Sequence, residues 1–349
     1  MRKSADVLLT GASGFVGSAV LRELLRDGFS VRALVRPNSR HADLMAPGVQ
    51  FVEGDLRVAS SLRPACAGCR YLFHVAADYR LALRGGAGVI ATNVTGTRSL
   101  MEEALRAGME RIVHTSSVAT LDCRVDGAST DETASLPLQR AVGAYKQSKV
   151  MAERLVLDMV EQKGLPAIIV NPSTPIGPRD LRPTPTGRII VAAASGQIPA
   201  YVDTGLNLVH VDDVARGHVA ALRRGRIGER YILGGENVPF SQILAEIASM
   251  VGRSPPRFRI PWYAAAPAAV AGEVKAFLTG NEPLVTWAGV RLSRHKMFFT
   301  SAKAEQELGY RAQPHRQALI DAIAWFGSHG YLRHSESEPK LGIGRLPFG

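Results

Sequence analysis

A doubly wound α/β fold, with a parallel sheet covered by helices on both faces and a smaller C-terminal lobe, is the class this sequence predicts. Three observations predict it. Apolar runs of strand length recur through the first half, separated by about 10 to 25 residues, which leaves room for a helical crossover between each pair. A glycine loop follows the first of these runs, and beyond residue 172 the text becomes rich in proline and glycine.

The elements follow in order. VLLT at 7–10 is an apolar run that stops at a glycine, and a helix is expected over about 14–27. SVRALV, QFVEGD and YLFHVAA read as the next three strands. A helix around 93–107 leads to the strand RIVHTSS, AYKQSK opens another helix, and AIIVNP is the sixth strand. The expected organisation is a dinucleotide-binding core over 1–172, then a mainly substrate-binding lobe over 173–331 with some segments returning to the core. The last residues, 332–349, lack periodicity and read as a mobile tail.

The bulk composition narrows the function classes. With 46% apolar and 21% charged residues in 349, the chain has the profile of a globular protein with a sizeable core. The 42 basic against 31 acidic residues give a formal charge of +11, spread along the chain. That spread suits a phosphorylated ligand or an anionic membrane surface better than dedicated nucleic-acid binding, so no nucleic-acid partner is expected. Cys66, Cys69 and Cys123, without a cleavage-like leader, point to a reducing cytoplasm, or to the inner face of the membrane. Cys66 and Cys69 have zinc-like spacing but no second pair completes a site, and the histidines show no metal spacing, so no metal is expected. His210, just before Asp212 and Asp213, reads as the organiser of a loop and helix start.

The first strand ends in TGASGFVG, which places Gly11, Gly14 and Gly17 at a strand-to-helix junction, with Ser13, Phe15 and Val16 between and beside them. Small residues there let the backbone approach a pyrophosphate, which the free N–H groups and dipole of the helix stabilise. A dinucleotide cofactor is therefore expected. Arg36 ends the second strand, Arg40 stands close behind, and no carboxylate lies between Asp27 and Asp43. Cations there suit a 2′-phosphate, which favours NADP(H) over NAD(H). Further along, Tyr145 and Lys149 are spaced i, i+4, which puts phenol and ammonium on one helical face.

Taken in order, the glycine loop, GDL at 54–56, HVAA at 74–77, TSS at 115–117 and YKQSK at 145–149 resemble the extended short-chain dehydrogenase/reductases over about 4–331. ADYR, NPSTPIGPRDLRPTPTGR, AYVDTGLNLVHVDDVA and GERYILGGEN look like the hopanoid-associated sugar epimerase family. NPSTPIGP and the arginine after the second strand also resemble the dihydroflavonol-reductase branch. The glycine-rich stretch 81–91 departs from the epimerase pattern, where an aromatic and acids would be expected.

The resemblance implies Ser117, Tyr145 and Lys149 as the catalytic set. Tyr145 exchanges a proton with the substrate oxygen, Lys149 lowers the phenol pKa and holds the nicotinamide ribose, and Ser117 donates to the developing oxyanion. Asn93 is implied either as the residue ordering a proton relay to Lys149 or as a buried structural asparagine. The implied cofactor contacts add Asp55, Leu56, Val75, Ala76, Ala77, Pro172 and Ser173, and the implied substrate contacts are Asp78, Tyr79, Thr174, Arg188 and Asn207. A homodimer through two helices per subunit is implied as well.

Three reactions share this machinery. Dehydration needs an acid pair directly after the catalytic hydroxyl, and Val118 and Ala119 stand there. Nucleotide-sugar epimerases of this kind grip the diphosphate with an asparagine and an arginine at positions occupied here by Thr174 and Leu206. Interconversion of a carbonyl and a secondary alcohol, on a polyol or sugar-like group of a lipid and in hopanoid biosynthesis, is the expected function. Epimerisation through a transient ketone is the alternative. A non-catalytic NADP sensor is the alternative of another class, and it would not need a phenolate. The apolar stretch 261–280 carries two prolines, Glu273 and Lys275, so it is expected as a core or lid helix, or as a peripheral membrane contact, and not as a span.

Overall fold

Strand β1 (Val7–Thr10) is buried along its whole length because parallel strands flank it on both sides and helices cover both its faces. The computed structural model describes residues 5–37, 39, 44–78, 86–279 and 285–332. Arg40, Tyr79 and the tail from 333 lie outside the described residues. After β1 come α1 (Phe15–Arg26), β2 (Val31–Val35), β3 (Val49–Glu53), α2 (Leu62–Cys66), β4 (Tyr71–His74), α3 (Gly86–Ile90), a π-helical turn (Ala91–Thr95) and α4 (Gly96–Arg106). The core continues with β5 (Arg111–Thr115), α5 (Ala144–Lys163) and β6 (Ala167–Pro172).

The second half adds β7 (Thr174–Ile176), α6 (Pro185–Ala194), β8 (Ala200–Val202), β9 (Gly205–His210), α7 (Val211–Arg224), β10 (Arg230–Leu233), β11 (Glu236–Pro239) and α8 (Phe240–Met250). It ends with β12 (Phe258–Ile260), α9 (Ala266–Thr279), α10 (Trp287–Leu292), β13 (Lys296–Met297), α11 (Ala302–Leu308) and α12 (His315–Ser328).

The main sheet has seven strands in the order β10-β6-β5-β4-β1-β2-β3, and all its pairings are parallel. Successive side chains of a strand face opposite sides, so each strand feeds two cores. Val7, Leu9, Val113 and Val170 pack with Leu24 of α1 and with Val214 and Leu222 of α7. Leu8, Leu72, Ile112 and Ile169 pack with Leu62 of α2, Leu100 of α4 and Val156 of α5. Cys66 and Cys69 belong to this second core, and burial pushes the Cys66 thiol up to about 12. Strand order reverses beside β1, and the carboxyl ends of β1, β2 and β4 open there. In open α/β sheets that is where a ligand binds.

In the lobe, β9 pairs with β7, β11 and β13 and lies under α6, α8 and α12, with Ile176, Ile190, Leu208, Ile247 and Phe326 between them. His210 caps α7: its Nδ1 accepts from the Asp212 amide at 3.0 Å. The lobe is not a separate block of sequence, since α7 and β10 return from it to complete the main sheet and the layer over α1.

Two expected elements differ. The helix expected around 93–107 begins at Gly86 and passes through the π-helical turn that buries Asn93. Within the apolar stretch 261–280 a 3₁₀ turn (Trp262–Ala265) leads into α9, where Val270 and Val274 are 53% and 54% exposed while Ala269 is buried, so this helix is not core. Its apolar composition comes largely from alanines, which give little area to bury. Among the described residues no helix is long and apolar enough to cross a membrane.

Candidate active site

The cofactor cradle is built by close backbone approach. Gly11 has φ +78°, and a Cβ there would meet the Ala76 nitrogen at 2.6 Å; a Cβ on Gly17 would sit 1.9 Å from the Gly11 oxygen. Only glycine fits either position. The Gly14 amide donates to the Gly11 carbonyl at 2.9 Å, and Gly14 caps α1 without a side-chain bond. The first-turn amides of Phe15, Val16 and Gly17 therefore have no acceptor within the helix and point their dipole at the loop, just beyond Ser13. Val75, Ala76 and Ala77 face the loop from the end of β4, where the Ala76 amide donates to Thr10 Oγ1 at 3.2 Å.

Ser116 Oγ and Ser173 Oγ, at the ends of β5 and β6, are buried without a partner among the described residues, and Pro172 closes β6 beside them. Free helix amides, a cradle that a Cβ would fill and orphaned hydroxyls together fit a dinucleotide. Arg36 is exposed directly after β2. Asp55 is held below the usual carboxylate range first by Arg57, which donates through Nε at 3.0 Å and Nη2 at 2.6 Å, with a smaller contribution from the Arg36 charge. Leu56 packs against the second core.

The expected catalytic set converges from two elements. Ser117 follows β5 and caps a 3₁₀ turn (Val118–Thr120), with its Oγ accepting from the Ala119 amide at 3.1 Å. Tyr145, in the first turn of α5, lies beside Ser117; burial raises the phenol pKa and the Ser117 hydroxyl lowers it. One turn later Lys149 is 4% exposed, and its Nζ donates to the Thr115 carbonyl at 2.8 Å. Burial pushes this ammonium down to about 8, opposed by the Glu153 charge. Two buried histidines share the neighbourhood. His74 lies between Thr10 and Thr97 and is pushed down by burial to about 3, and His114, with its ring 5.3 Å away, is lowered for the same reason. Both are neutral near pH 7, so neither adds a second cation beside Lys149.

Asn93 does not reach Lys149 directly in this arrangement. Its Oδ1 accepts from the Asp78 amide at 2.7 Å, and its Nδ2 donates to the Asp78 carbonyl at 2.8 Å and to Ser148 Oγ at 2.9 Å. It clamps the chain after β4 to α5, one residue before Lys149. Among the expected substrate contacts, Thr174 starts β7, half-buried, two residues after β6 ends. Arg188 lies on α6, where its charge acts on the buried Asp180. Asn207 does not belong with these. It is 1% exposed; its Oδ1 accepts from the Gly235 amide at 2.8 Å, and its Nδ2 donates to the Gly235 carbonyl and to Asn237 Oδ1. Its Nδ2 also donates to the Phe299 carbonyl at 3.2 Å, so this bonding ties β9 to the start of β11 and to the chain after β13, a structural role that a polar residue inside a strand fills when buried.

Sequence reasoning missed three polar residues behind Ser117: Thr120, Glu153 and Asn171. One signal was present, since Glu153 continues the i, i+4 face of Tyr145 and Lys149.

A parallel sheet with a glycine cradle at its switch point and a Ser-Tyr-Lys set at the end of β5 defines an NAD(P)-dependent enzyme of the extended short-chain dehydrogenase/reductase type. A profile of the NAD dependent epimerase/dehydratase family matches residues 7–234, and the chain belongs to that family. It is 44% identical over 330 residues, 93% of this chain and 95% of the other, to a Synechocystis protein provisionally named dihydroflavonol 4-reductase. It is 34% identical over 328 residues, 93% of this chain and 99% of the other, to sterol demethylase protein B of Methylococcus capsulatus. The crystal structure of gox2253 superposes with a TM-score of 0.84 at 49% identity, covering 94% of this chain and 99% of that one.

The buried ammonium has a measurable consequence. Lys149 gives up its proton near pH 8 in the folded, cofactor-free protein but near the ordinary 10.5 when unfolded. Between those values the unfolded chain binds the extra proton, so wild-type stability rises with pH, and below pH 8 the full penalty of the buried charge applies. Lys149→Met is expected to melt a few degrees above wild type at pH 7, with the gap closing as pH passes from 8 toward 10. Thermal melts over this range check it; a gap that widens with pH would refute the assignment.

Proposed function

We propose that this protein is an NADP(H)-dependent oxidoreductase that interconverts a carbonyl and a secondary alcohol on a polyol or sugar-like group of an isoprenoid lipid, with hopanoid lipids as the expected class. The observation that carries the reading is the Ser117 hydroxyl beside the Tyr145 phenol, with the buried Lys149 ammonium one helical turn behind it. Two relatives support the reading by name, the provisionally named dihydroflavonol 4-reductase and sterol demethylase protein B. The lobe supports it as well. Leu206, at the position expected for a diphosphate-gripping arginine, is 9% exposed and part of the apolar core with Ile176 and Val238. A guanidinium at that position would have to be buried in the lobe core, at a large desolvation cost.

In the reducing direction Ser117 Oγ–H and Tyr145 Oη–H both point their protons to the carbonyl oxygen, and Ser117 holds the charge that builds there. Tyr145 then gives up its proton to that oxygen, and the Lys149 ammonium stabilises the phenolate left behind. In the oxidising direction the same phenolate takes the alcohol proton. The nicotinamide, when bound, supplies or accepts the hydride at the same carbon. The loop amides of 15–17 and Ser173 would hold the pyrophosphate and nicotinamide ends, and Arg36 the 2′-phosphate.

Three outcomes are expected. Tyr145→Phe removes only a hydroxyl, so NADPH affinity measured by calorimetry stays within about threefold while turnover of a ketone substrate falls by about 10² to 10⁴. Full activity in this variant would end the reading. NADPH is expected to bind about 30- to 1000-fold more tightly than NADH, from roughly 2 to 4 kcal/mol of charge-assisted contact, and Arg36→Ala to remove most of that preference. Equal dissociation constants for the two cofactors would move the enzyme to NAD(H). UDP-glucose is expected to bind no more tightly than millimolar; micromolar binding in titration calorimetry would restore the nucleotide-sugar epimerase alternative.

A further inference from the structure

Glu153 is a carboxylate at 3% exposure, one helical turn beyond Lys149 on α5. A charge buried that deeply is costly unless its oxygens are fully bonded. They are. Oε2 accepts from Asn171 Nδ2 at 2.7 Å and from Thr120 Oγ1 at 2.9 Å, and Oε1 faces Arg230 Nη1 at 3.2 Å. The same two donors also reach the Ser117 carbonyl, Asn171 Nδ2 at 3.1 Å and Thr120 Oγ1 at 2.8 Å. Thr120 has one proton and serves one of these acceptors at a time, while the two amide protons of Asn171 can serve both. The Ser117 peptide and the Glu153 carboxylate are thus tied to one pair of donors, one from β6 and one from the turn that Ser117 caps.

We propose that Glu153 is a positioning residue: through Asn171 and Thr120 it fixes the Ser117 peptide, and so the direction in which the Ser117 hydroxyl meets the substrate oxygen. The Ser117 carbonyl also accepts from the Thr120 backbone amide at 3.1 Å within the same turn, so its ties run through Thr120 and Asn171; its φ of −168° and ψ of 153° are plain extended backbone, and its Oγ accepts from the Ala119 amide. Without the carboxylate, the Asn171 amide and the Thr120 hydroxyl lose their shared acceptor and the turn loses its anchor on α5. Displacement of a reacting group by about 1 Å costs up to 10²-fold in rate. The inference rests on the reading of Ser117 as the donor in carbonyl redox, and the test separates the two.

The test is a double-mutant cycle on NADPH-dependent reduction of phenanthrenequinone. Glu153→Leu is expected to lower kcat by about 10- to 100-fold, with KM and the NADPH dissociation constant held within about threefold. Glu153→Gln keeps an acceptor oxygen toward Asn171 and Thr120 and is expected to recover kcat to within about threefold of wild type. In a Ser117→Ala background, where there is no hydroxyl left to aim, Glu153→Leu is expected to cost less than about threefold. Should Glu153→Leu fail to fold, Thr120→Val takes its place in the same cycle, with an expected loss of about threefold to tenfold that again vanishes without Ser117. An equal loss in both backgrounds, or wild-type kcat in a folded Glu153→Leu protein, overturns the inference while leaving the Ser117 reading intact. A Ser117→Ala protein with wild-type kcat overturns that reading, and the inference with it.

Discussion

Burying the Lys149 ammonium is the constraint around which the rest of the site is arranged. An amine taken out of water loses hydration that a single hydrogen bond does not replace, and the lowered pKa records the difference. What keeps it charged is local: the Thr115 carbonyl at the end of β5, the Glu153 carboxylate one turn along the helix, and two histidines that burial keeps neutral. A cation kept in a shielded place acts on its neighbours with little screening, which is what a phenol whose pKa burial raises needs if it is to give up its proton close to neutrality.

That arrangement depends on the sheet. A parallel strand needs cover on both faces, so the chain must lay a helix across β5 and β6, and α5 does so with Leu155, Val156 and Met159 against Ile112 and Ile169. The first turns of the same helix extend past the strand ends, where Tyr145 leaves the apolar layer and meets Ser117. The cofactor cradle is positioned in the same way: the turn from β1 into α1 closes only because Gly17 lets the helix start against the Gly11 carbonyl. Catalytic groups and cradle therefore sit at neighbouring carboxyl ends of one rigid layer, and neither depends on the lobe for its geometry.

How much of this was legible in the sequence differs from element to element. β1, β2 and β4 to β6 are continuous apolar runs, and their burial on two faces is the reason they can be read without neighbours. Ser117, Tyr145 and Lys149 were legible from motif and helical spacing, and the structure brings all three together. Asn207 misled because a polar residue in a strand looks like a ligand contact, whereas its bonds run across to Gly235 and Asn237, a pairing that exists only once β9 meets β11. Of the core, lid and peripheral-membrane readings that the sequence left open for 261–280, the exposure of Val270 and Val274 removes only the core one, because a count of apolar letters does not distinguish alanine from valine. Thr120 and Asn171 carried no signal at all: their role comes from a contact between a turn and a strand 51 residues apart.

At the junction between core and lobe, the core strand next to Ser117 passes directly into the first strand of the lobe. β6 ends at Pro172 and β7 begins at Thr174, so Ser173, whose Oγ is buried without a partner among the described residues, is the one residue between the strand that holds Asn171 and the first strand of the lobe. From there β9 runs under β7 and leads through α7 and β10 back into the main sheet, which stitches the lobe to the core twice. A substitution on the lobe side of this seam, at Thr174 or along α6, alters what a substrate meets without moving the strand end behind it. A substitution on the core side, at Asn171 or Glu153, acts on the Ser117 peptide whatever the substrate. The core side and the lobe side of that seam are thus a single residue of backbone apart.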